Sequence, residues 1–341
     1  MNIKNILNRS EIIGNINGDI AEKILNLNDT ELVQLQKLAK SLKEKYYNKN
    51  ISFFYPGQYF PSISITGSYC EQNCKHCNKH YLVSMVQAPT PDILLKKCQE
   101  LDKNGAVGCL VSGGFDKEAK LPFENFITTL KKIKSTTNLI LNLHTGLINK
   151  ELALQLGEIG IDVVSFDVTA DDYTIKEIYG LNKTKNDYIK SLNWLLASKI
   201  KFIAPHICIG LNPNNILSEF QALSLIKDMN PKLIVLIALI PTRGTPLENQ
   251  TPPSPEFISK IICLTRLMYP KSQISLGCMR PKKRNIKVET ELIALNSGID
   301  RLVLPSRKTI DYASSNSFII SHFNSCCAIP THLIKPFNLN I

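Results

Sequence analysis

Cys70, Cys74 and Cys77 stand in the run Thr66-Gly-Ser-Tyr-Cys-Glu-Gln-Asn-Cys-Lys-His-Cys-Asn, a C-x3-C-x2-C spacing that follows an apolar, strand-like segment. Thiolates are soft ligands, and three packed this tightly can wrap one corner of an iron–sulfur cube. A [4Fe–4S] cube has four irons, so three cysteines leave one iron open to a small molecule that can bind there and be reduced. Zinc is the rival. A structural zinc site takes four ligands, usually as two spaced pairs, and His76 or His80 would complete a Cys3His set. A zinc knuckle needs neither a preceding strand nor so long a chain, which favours the cluster.

Such a loop needs a scaffold. The chain has 341 residues, 44% of them hydrophobic, enough for a sizeable core and within the length of one α/β barrel. Apolar runs predict strands near 60–66, 107–112, 138–143, 162–167, 201–209, 232–240, 273–277 and 300–304. Helical patterns lie between them near 90–103, 122–134, 149–157, 185–198, 215–228, 254–268 and 286–297. This alternation predicts parallel βα units closed into a TIM-type (βα)8 barrel, with an open doubly wound sheet as the alternative. Residues 1–50 read as two polar-faced helices, the second near 29–45 with Leu32, Leu35, Leu38, Ala39 and Leu42 on one stripe and Asp29 or Thr30 as its cap. The expected organisation is an N-terminal helical extension at 1–55, a barrel at 56–305 and a tail at 306–341 folded over one end. The cysteine loop follows the first strand of that barrel, at the mouth where barrel active sites lie.

No window approaches the roughly eighteen apolar residues of a membrane span. Residues 1–10 lack the apolar core of a secretory signal. Ten cysteines without such a signal point to thiols kept reduced in a cytoplasm. Forty Lys and Arg against 29 Asp and Glu give a net charge of +11 spread along the chain. An acidic protein, a carboxylate substrate or nucleic acid would each suit that balance.

Other chemistry-bearing residues fall at the ends of predicted strands. Ser112, Gly113 and Gly114 end the second, in Leu110-Val-Ser-Gly-Gly-Phe115, where glycine lets backbone approach a ligand. As an isolated signal this is also an ordinary turn. His144 ends the third strand and Asp167 the fourth; Asp167 reads equally as a ligand contact or as a cap. His206 on the fifth strand reads better as a core residue than as a contact. Arg280 follows Cys278 in Leu276-Gly-Cys-Met-Arg-Pro281, after the seventh strand, where it could pair with a carboxylate. Cys326 and Cys327 lie in the tail. A tail folded over the mouth would bring them to Cys278, and three thiolates there could hold an auxiliary, sulfur-supplying iron–sulfur cluster; the alternative is a set of buried small hydrophobes. Cys98 and Cys263, on helical patterns, read as structural thiols.

Over roughly residues 20–310 the chain resembles the biotin-synthase-like branch of the radical S-adenosylmethionine (SAM) enzymes. The resemblance is carried by Ser62-Ile-Ser-Ile-Thr-Gly-Ser-Tyr-Cys, the cysteine motif, Phe166-Asp-Val-Thr with Ile178-Tyr-Gly, Ile209-Gly-Leu211 and Arg243-Gly-Thr-Pro-Leu-Glu248. It implies a [4Fe–4S] cluster on Cys70, Cys74 and Cys77, bound SAM and a 5′-deoxyadenosyl radical. It also implies SAM contacts at Ser112, Gly113, Gly114 and Asp167, with His76 beside the adenine. The chain departs from biotin synthase in its second cluster: Cys109 looks shifted, the third strand has no cysteine, and Cys208 sits too near Gly210. The sixth strand lacks an Asn for a cyclic urea. The barrel, the Gly-Cys-Met-Arg-Pro run and the Ser-Cys-Cys-Ala tail are similar to the two-component lipoyl synthases. That likeness implies sulfur insertion into an octanoyl chain, with His144 and Arg280 as substrate contacts and Cys278, Cys326 and Cys327 on an auxiliary cluster. Its implied partners are an acidic octanoylated carrier protein, a sister radical SAM subunit and an electron-donor protein, without membrane or nucleic acid. Radical rearrangement or cofactor maturation without sulfur, and a non-catalytic partner subunit, are the alternatives.

Overall fold

The computed structural model describes residues 12–338, so the reading of residues 1–10 lies outside it. Two helices, α1 (Gly18–Leu25) and α2 (Asp29–Tyr47), precede the strands β1 (Asn50–Phe54), β2 (Ser62–Ser64) and β3 (Val86–Gln87). Then follow α3 (Pro91–Lys103), β4 (Gly108–Ser112), α4 (Ile127–Thr136), β5 (Ile140–His144), α5 (Lys150–Ile159), β6 (Val163–Asp167) and α6 (Lys185–Ala197). The chain continues through β7 (Ile203–Ile209), α7 (Ser218–Leu225), β8 (Leu233–Ala238), α8 (Pro255–Met268) and β9 (Gln273–Leu276). It ends with α9 (Arg284–Asn296), β10 (Arg301–Val303), α10 (Arg307–Ser315) and β11 (Ile319–Phe323). No helix among the described residues is long and apolar enough to cross a membrane.

All eleven strands join one sheet in the order β11-β1-β10-β9-β8-β7-β6-β5-β4-β2-β3, and every ladder is parallel. The expected α/β barrel class is the one observed, and all eight predicted strands are present. The curled sheet is a partial barrel, however: no ladder joins β3 to β11 among the described residues. Strands β1, β3 and β11 were not legible as strands. Each is short, and β1 and β11 come from the flanking segments, β1 lying between β10 and β11.

Burial follows from the architecture. A parallel strand covered on both faces reads as a continuous apolar run, as in β8, where only Ile237 is not fully buried. Helix α2 buries Leu32, Leu35, Ala39 and Leu42, the predicted stripe, with Leu38 partly covered. Its cap is Asn28, one residue before the expected pair. The Asn28 side chain accepts from the Glu31 amide at 3.0 Å while the Glu31 carboxylate accepts from the Asn28 amide at 3.2 Å, a capping box.

The tail folds over one end, as expected, and that end is not the mouth. After β11 it turns inward, and Cys327, Ala328, Ile329 and Ile334 join an interior cluster with Phe54, Val163, Leu233 and Val235. Val163 and Leu233 open their strands, so the tail seals the base of the barrel. Arg301, 2% exposed, holds it there. Its guanidinium donates to the carbonyls of Cys327 at 2.8 Å and Ile329 at 2.7 Å, and its Nε donates to Gln273 Oε1 at 3.0 Å. Burial pulls its pKa down to about 10, so it stays charged at neutral pH. Replacing Arg301 with Leu would strand these acceptors in the core. We expect a loss of about 2–4 kcal/mol, seen as a lower urea midpoint with an unchanged slope.

Candidate active site

The cysteine loop leaves β2 and is tied down on three sides. Ser64 Oγ donates to the Gly67 carbonyl at 2.6 Å, and Thr66 Oγ1 donates to the Tyr69 carbonyl at 3.0 Å while accepting from the Gly114 amide at 2.7 Å. The Lys75 amide donates to the Ile178 carbonyl at 2.8 Å, and the Lys75 carbonyl accepts from the Leu247 amide at 3.3 Å. Two distant sequence runs, Ile178-Tyr-Gly and Arg243-Gly-Thr-Pro-Leu-Glu248, thereby brace the loop. The thiols of Cys70, Cys74 and Cys77 are free and partly exposed. Burial, then the neighbouring Cys77 and Cys70, pushes the Cys74 thiol up to about 12, and burial raises Cys77 as well. Thiolates forming here therefore need a cationic partner, which the irons of a cluster provide. Among the described residues no three Cys, His, Asp or Glu side chains meet around a point that a single ion would fill. A cube places each thiolate on a different iron, and this soft, electrostatically linked trio suits it.

The two glycines after β4 serve this loop directly. A Cβ on Gly114 would stand 2.0 Å from the Tyr69 carbonyl oxygen and 2.4 Å from Cys70 Cβ. One on Gly113 would meet the Thr66 and Leu121 side chains at 2.8 and 2.9 Å. The close approach expected toward a ligand is thus, first, an approach to the cysteine loop. His76 packs against Tyr179 with ring centroids 5.5 Å apart, and its Nδ1 is buried without a partner. Burial draws its pKa down to about 4, so the ring is neutral with an unused polar edge.

Three strand ends form a relay at the mouth. Ser112 Oγ lies 3.2 Å from His144 Nδ1, and His144 Nε2 lies 2.8 Å from Asp167 Oδ2. Burial opposes the charge on Asp167, but His144, His206 and His76 together hold its carboxyl at about 2. For His144 burial favours the neutral ring, and Asp167 overcomes it and raises the pKa above 6.5. His144 was expected as a free substrate contact; both its nitrogens are instead engaged with two SAM-contact candidates. His206 lies beside Asp167 in the ladder, and its Nδ1 is 2.9 Å from the Ala204 carbonyl.

Below the relay three thiols that the sequence only partly marked come near one another, Cys278 exposed, Cys326 half-buried and Cys327 buried. Asn142 Nδ2 approaches Cys326 Sγ at 3.9 Å, and the Ala328 amide donates to the same sulfur at 3.5 Å. Cys278, at the end of β9, feels the charge of Cys327, and Cys326 feels that of Cys278, so the three thiols share one neighbourhood. A hydrogen bond from Cys326, with Ser275, Arg301 and Arg280 nearby, brings the Cys327 thiol down to about 7 against the effect of burial. Ser275 Oγ, Ser325 Oγ and Arg280 Nε are buried without partners. Arg280 itself corrects an expectation. It is 3% exposed and built into the wall, donating to Glu291 Oε1 at 2.6 Å and to the carbonyls of Gly277 and Val303 at 2.7 Å each. Only its Nε is uncommitted. Cys109 is fully buried against Cys98 in the core, apart from these three, and Cys263 is likewise a core thiol. Ser275 and Arg301 carried no sequence signal, since a lone serine or arginine in an apolar run reads as an exception rather than as a site.

Residues 64–221, from the end of β2 into α7, match the Radical SAM superfamily. The chain carries a radical SAM domain. Its curated relatives include the biotin synthase of Clostridium acetobutylicum, 23% identical over 322 residues and covering 92% of this chain and 94% of that protein. The biotin synthase of Buchnera aphidicola subsp. Baizongia pistaciae is 26% identical over 294 residues, with 82% and 80% covered. These matches make the chain similar to the biotin synthases and imply a [4Fe–4S] cluster and SAM as the cofactors of a radical SAM enzyme. The fold is shared with methylornithine synthase, at TM-score 0.64 and 18% identity over 86% of this chain and 84% of that one. It is shared also with the [FeFe]-hydrogenase maturase HydG, at TM-score 0.71 and 16% identity over 94% and 75%.

Two predictions test this geometry. Gly114→Ala should leave the circular dichroism spectrum intact yet remove more than about half of the reconstituted iron, because displaced backbone must carry Cys70 with it; Gly113→Ala, which meets only side chains, should cost less. Asp167→Asn should move the His144 pKa from above 6.5 to below it in an NMR titration, since burial then acts unopposed. The pair's contribution to stability is present above the ordinary Asp value of 3.8 and is lost as pH falls toward 2. On the other side it is full below 6.5 and is lost as pH rises through the raised His144 value.

Proposed function

We propose that this radical SAM enzyme inserts sulfur at an unactivated C–H position of an octanoyl chain borne on a lysine of an acidic lipoyl-carrier protein, as one component of a lipoyl synthase. The observation that carries the reading is the convergence of three thiols, exposed Cys278 after β9 with Cys326 and Cys327 of the tail, beside the unpartnered buried atoms of Ser275, Ser325 and Arg280. When bound, the first cluster and SAM would supply a 5′-deoxyadenosyl radical for hydrogen abstraction, and an auxiliary cluster would supply sulfide as the sulfur donor and one-electron acceptor.

The chain's own residues position and enclose. Cys70, Cys74 and Cys77 hold the first cluster. Ser112, the Gly113-Gly114 backbone and Asp167 hold SAM, with His76 beside the adenine. His144 fixes the Asp167 carboxylate through its 2.8 Å contact. Cys278, Cys326 and Cys327 hold the auxiliary cluster. The apolar wall of β8 suits an acyl chain better than a polar ring, and the sealed base keeps water from the reacting carbon. The lack of a cysteine on β5 and of an Asn on β8 argues against biotin synthesis. A sister radical SAM subunit and an electron-donor protein complete the proposed system.

Iron counts on anaerobically reconstituted protein test it. Replacing Cys70, Cys74 and Cys77 together with Ala should leave about four irons. Replacing Cys278, Cys326 and Cys327 should spare SAM cleavage while abolishing the thiolated product. No iron after the first replacement would sink the sulfur reading and leave rearrangement or cofactor maturation. Binding of octanoylated carrier by wild-type protein that never cleaves SAM would instead mark a non-catalytic subunit.

A further inference from the structure

The rim of the mouth above β9 and β10 carries a concentrated positive charge that the chemistry above does not use. Lys282, Lys283 and Arg284 follow the Cys278 turn, and Arg307 and Lys308 open α10; all five are exposed. Arg307 pairs with Asp311 at 2.9 Å, whereas Lys282, Lys283, Arg284 and Lys308 make no salt bridge among the described residues. Helices α9 and α10 both begin here, and neither has an acidic residue in its first turn. Cations at a helix N-terminus oppose the macrodipole, so local helix stability does not account for them.

The charge flanks a shaped surface. A groove of about 480 Å³ runs from the rim along α9, with Val288, Leu292 and Ile293 as its apolar lining and Arg284 and Lys308 at its sides. Leu304, in the turn between β10 and α10, is 45% exposed and holds a left-handed φ of 48°, an apolar side chain presented from a backbone conformation unfavourable for leucine. Both basic segments are held rigid by one buried carboxylate. Glu291, fully buried, accepts from Arg280 at 2.6 Å, from the Ser306 amide at 2.8 Å and from Thr309 Oγ1 at 2.7 Å. The groove is also lined by Glu289, Asn285 and Asn296, so its charge is mixed. With Lys282, Lys283 and Arg307 beside it, cations still outnumber the one acidic residue. An apolar strip under a net positive rim on a rigid frame suits an acidic protein.

We propose that this rim docks the acidic carrier protein, seating its negative face on Lys282, Lys283, Arg284 and Lys308 with Leu304 as the apolar anchor, so that the tethered chain enters beside Cys278. The proposal rests on the carrier-borne substrate argued above. The test measures KM and kcat for an octanoylated carrier domain at rising NaCl, for wild type and for Lys282→Glu/Lys283→Glu/Lys308→Glu, with Lys131→Glu/Lys132→Glu on α4 as the control. The rim variant should raise KM at least tenfold at low salt, with the gap closing at high salt. Its kcat and its conversion of a short octanoyl-lysyl peptide should match wild type, as should the control variant throughout. A rim variant with wild-type KM for the carrier overturns the docking surface alone, provided that wild type converts the peptide. If wild type, assayed with SAM, a low-potential reductant and the sister subunit, converts neither carrier nor peptide, the sulfur-insertion reading fails with it. Salt-sensitive retention of duplex DNA by the rim, without carrier binding, would also overturn the proposal.

Discussion

The barrel depends on a single buried guanidinium. Eleven parallel strands curl around an interior that must be filled, and their own side chains do not fill it at the base. The tail does so, but a tail brings backbone carbonyls, and carbonyls in an apolar interior need donors. Arg301 supplies them from β10, reaching two tail carbonyls and Gln273 at once. The contact joins the last segment of the chain to the neighbouring strands β10 and β9. It thereby sets the depth at which Cys326 and Cys327 sit, and so which side chains can face Cys278.

The mouth is organised by a different economy of contacts. The cysteine loop has little regular structure of its own; it is held by Thr66 on the Gly114 amide and by the backbone at Ile178 and Leu247. Asp167 lies among three histidines, one of them His76 from the cysteine motif. Its half-exposed carboxylate stays ionised because the imidazoles of His144, His206 and His76 lie close to it. Polarity at the mouth is therefore shared between the loop and the strand ends, so a change at either is felt by both.

Much of this was readable before any coordinates. Strong apolar runs bounded by helical patterns located all eight barrel strands, and the tight cysteine spacing located the loop, because both signals are local. The strands β1 and β11 escaped notice for the opposite reason. Each is five residues long, and each is a strand by virtue of its neighbours. The roles of Gly113 and Gly114 were half legible: the need for a missing side chain was clear, but its cause, the Cys70 backbone, lies some forty residues away. Arg280 misled because an arginine at a strand end looks available; only packing reveals the buried Glu291 that claims it. Ser275 and Arg301 were silent because their meaning depends on where the tail goes.

A closed barrel has its radius dictated by strand number and shear. Among the described residues this sheet has a seam between β3 and β11; the last residues of β1 and β11, Phe54 and Phe323, stack at 5.3 Å, while the antiparallel bridge of His322 with Phe337 covers part of the outer edge of β11. Strand β3 is only two residues long, so the other free edge is too short to template pairing with a second sheet. The barrel's girth is therefore not locked by backbone hydrogen bonds. Side-chain packing such as the Phe54–Phe323 stack sets it instead, so a change of girth would break no ladder at the seam.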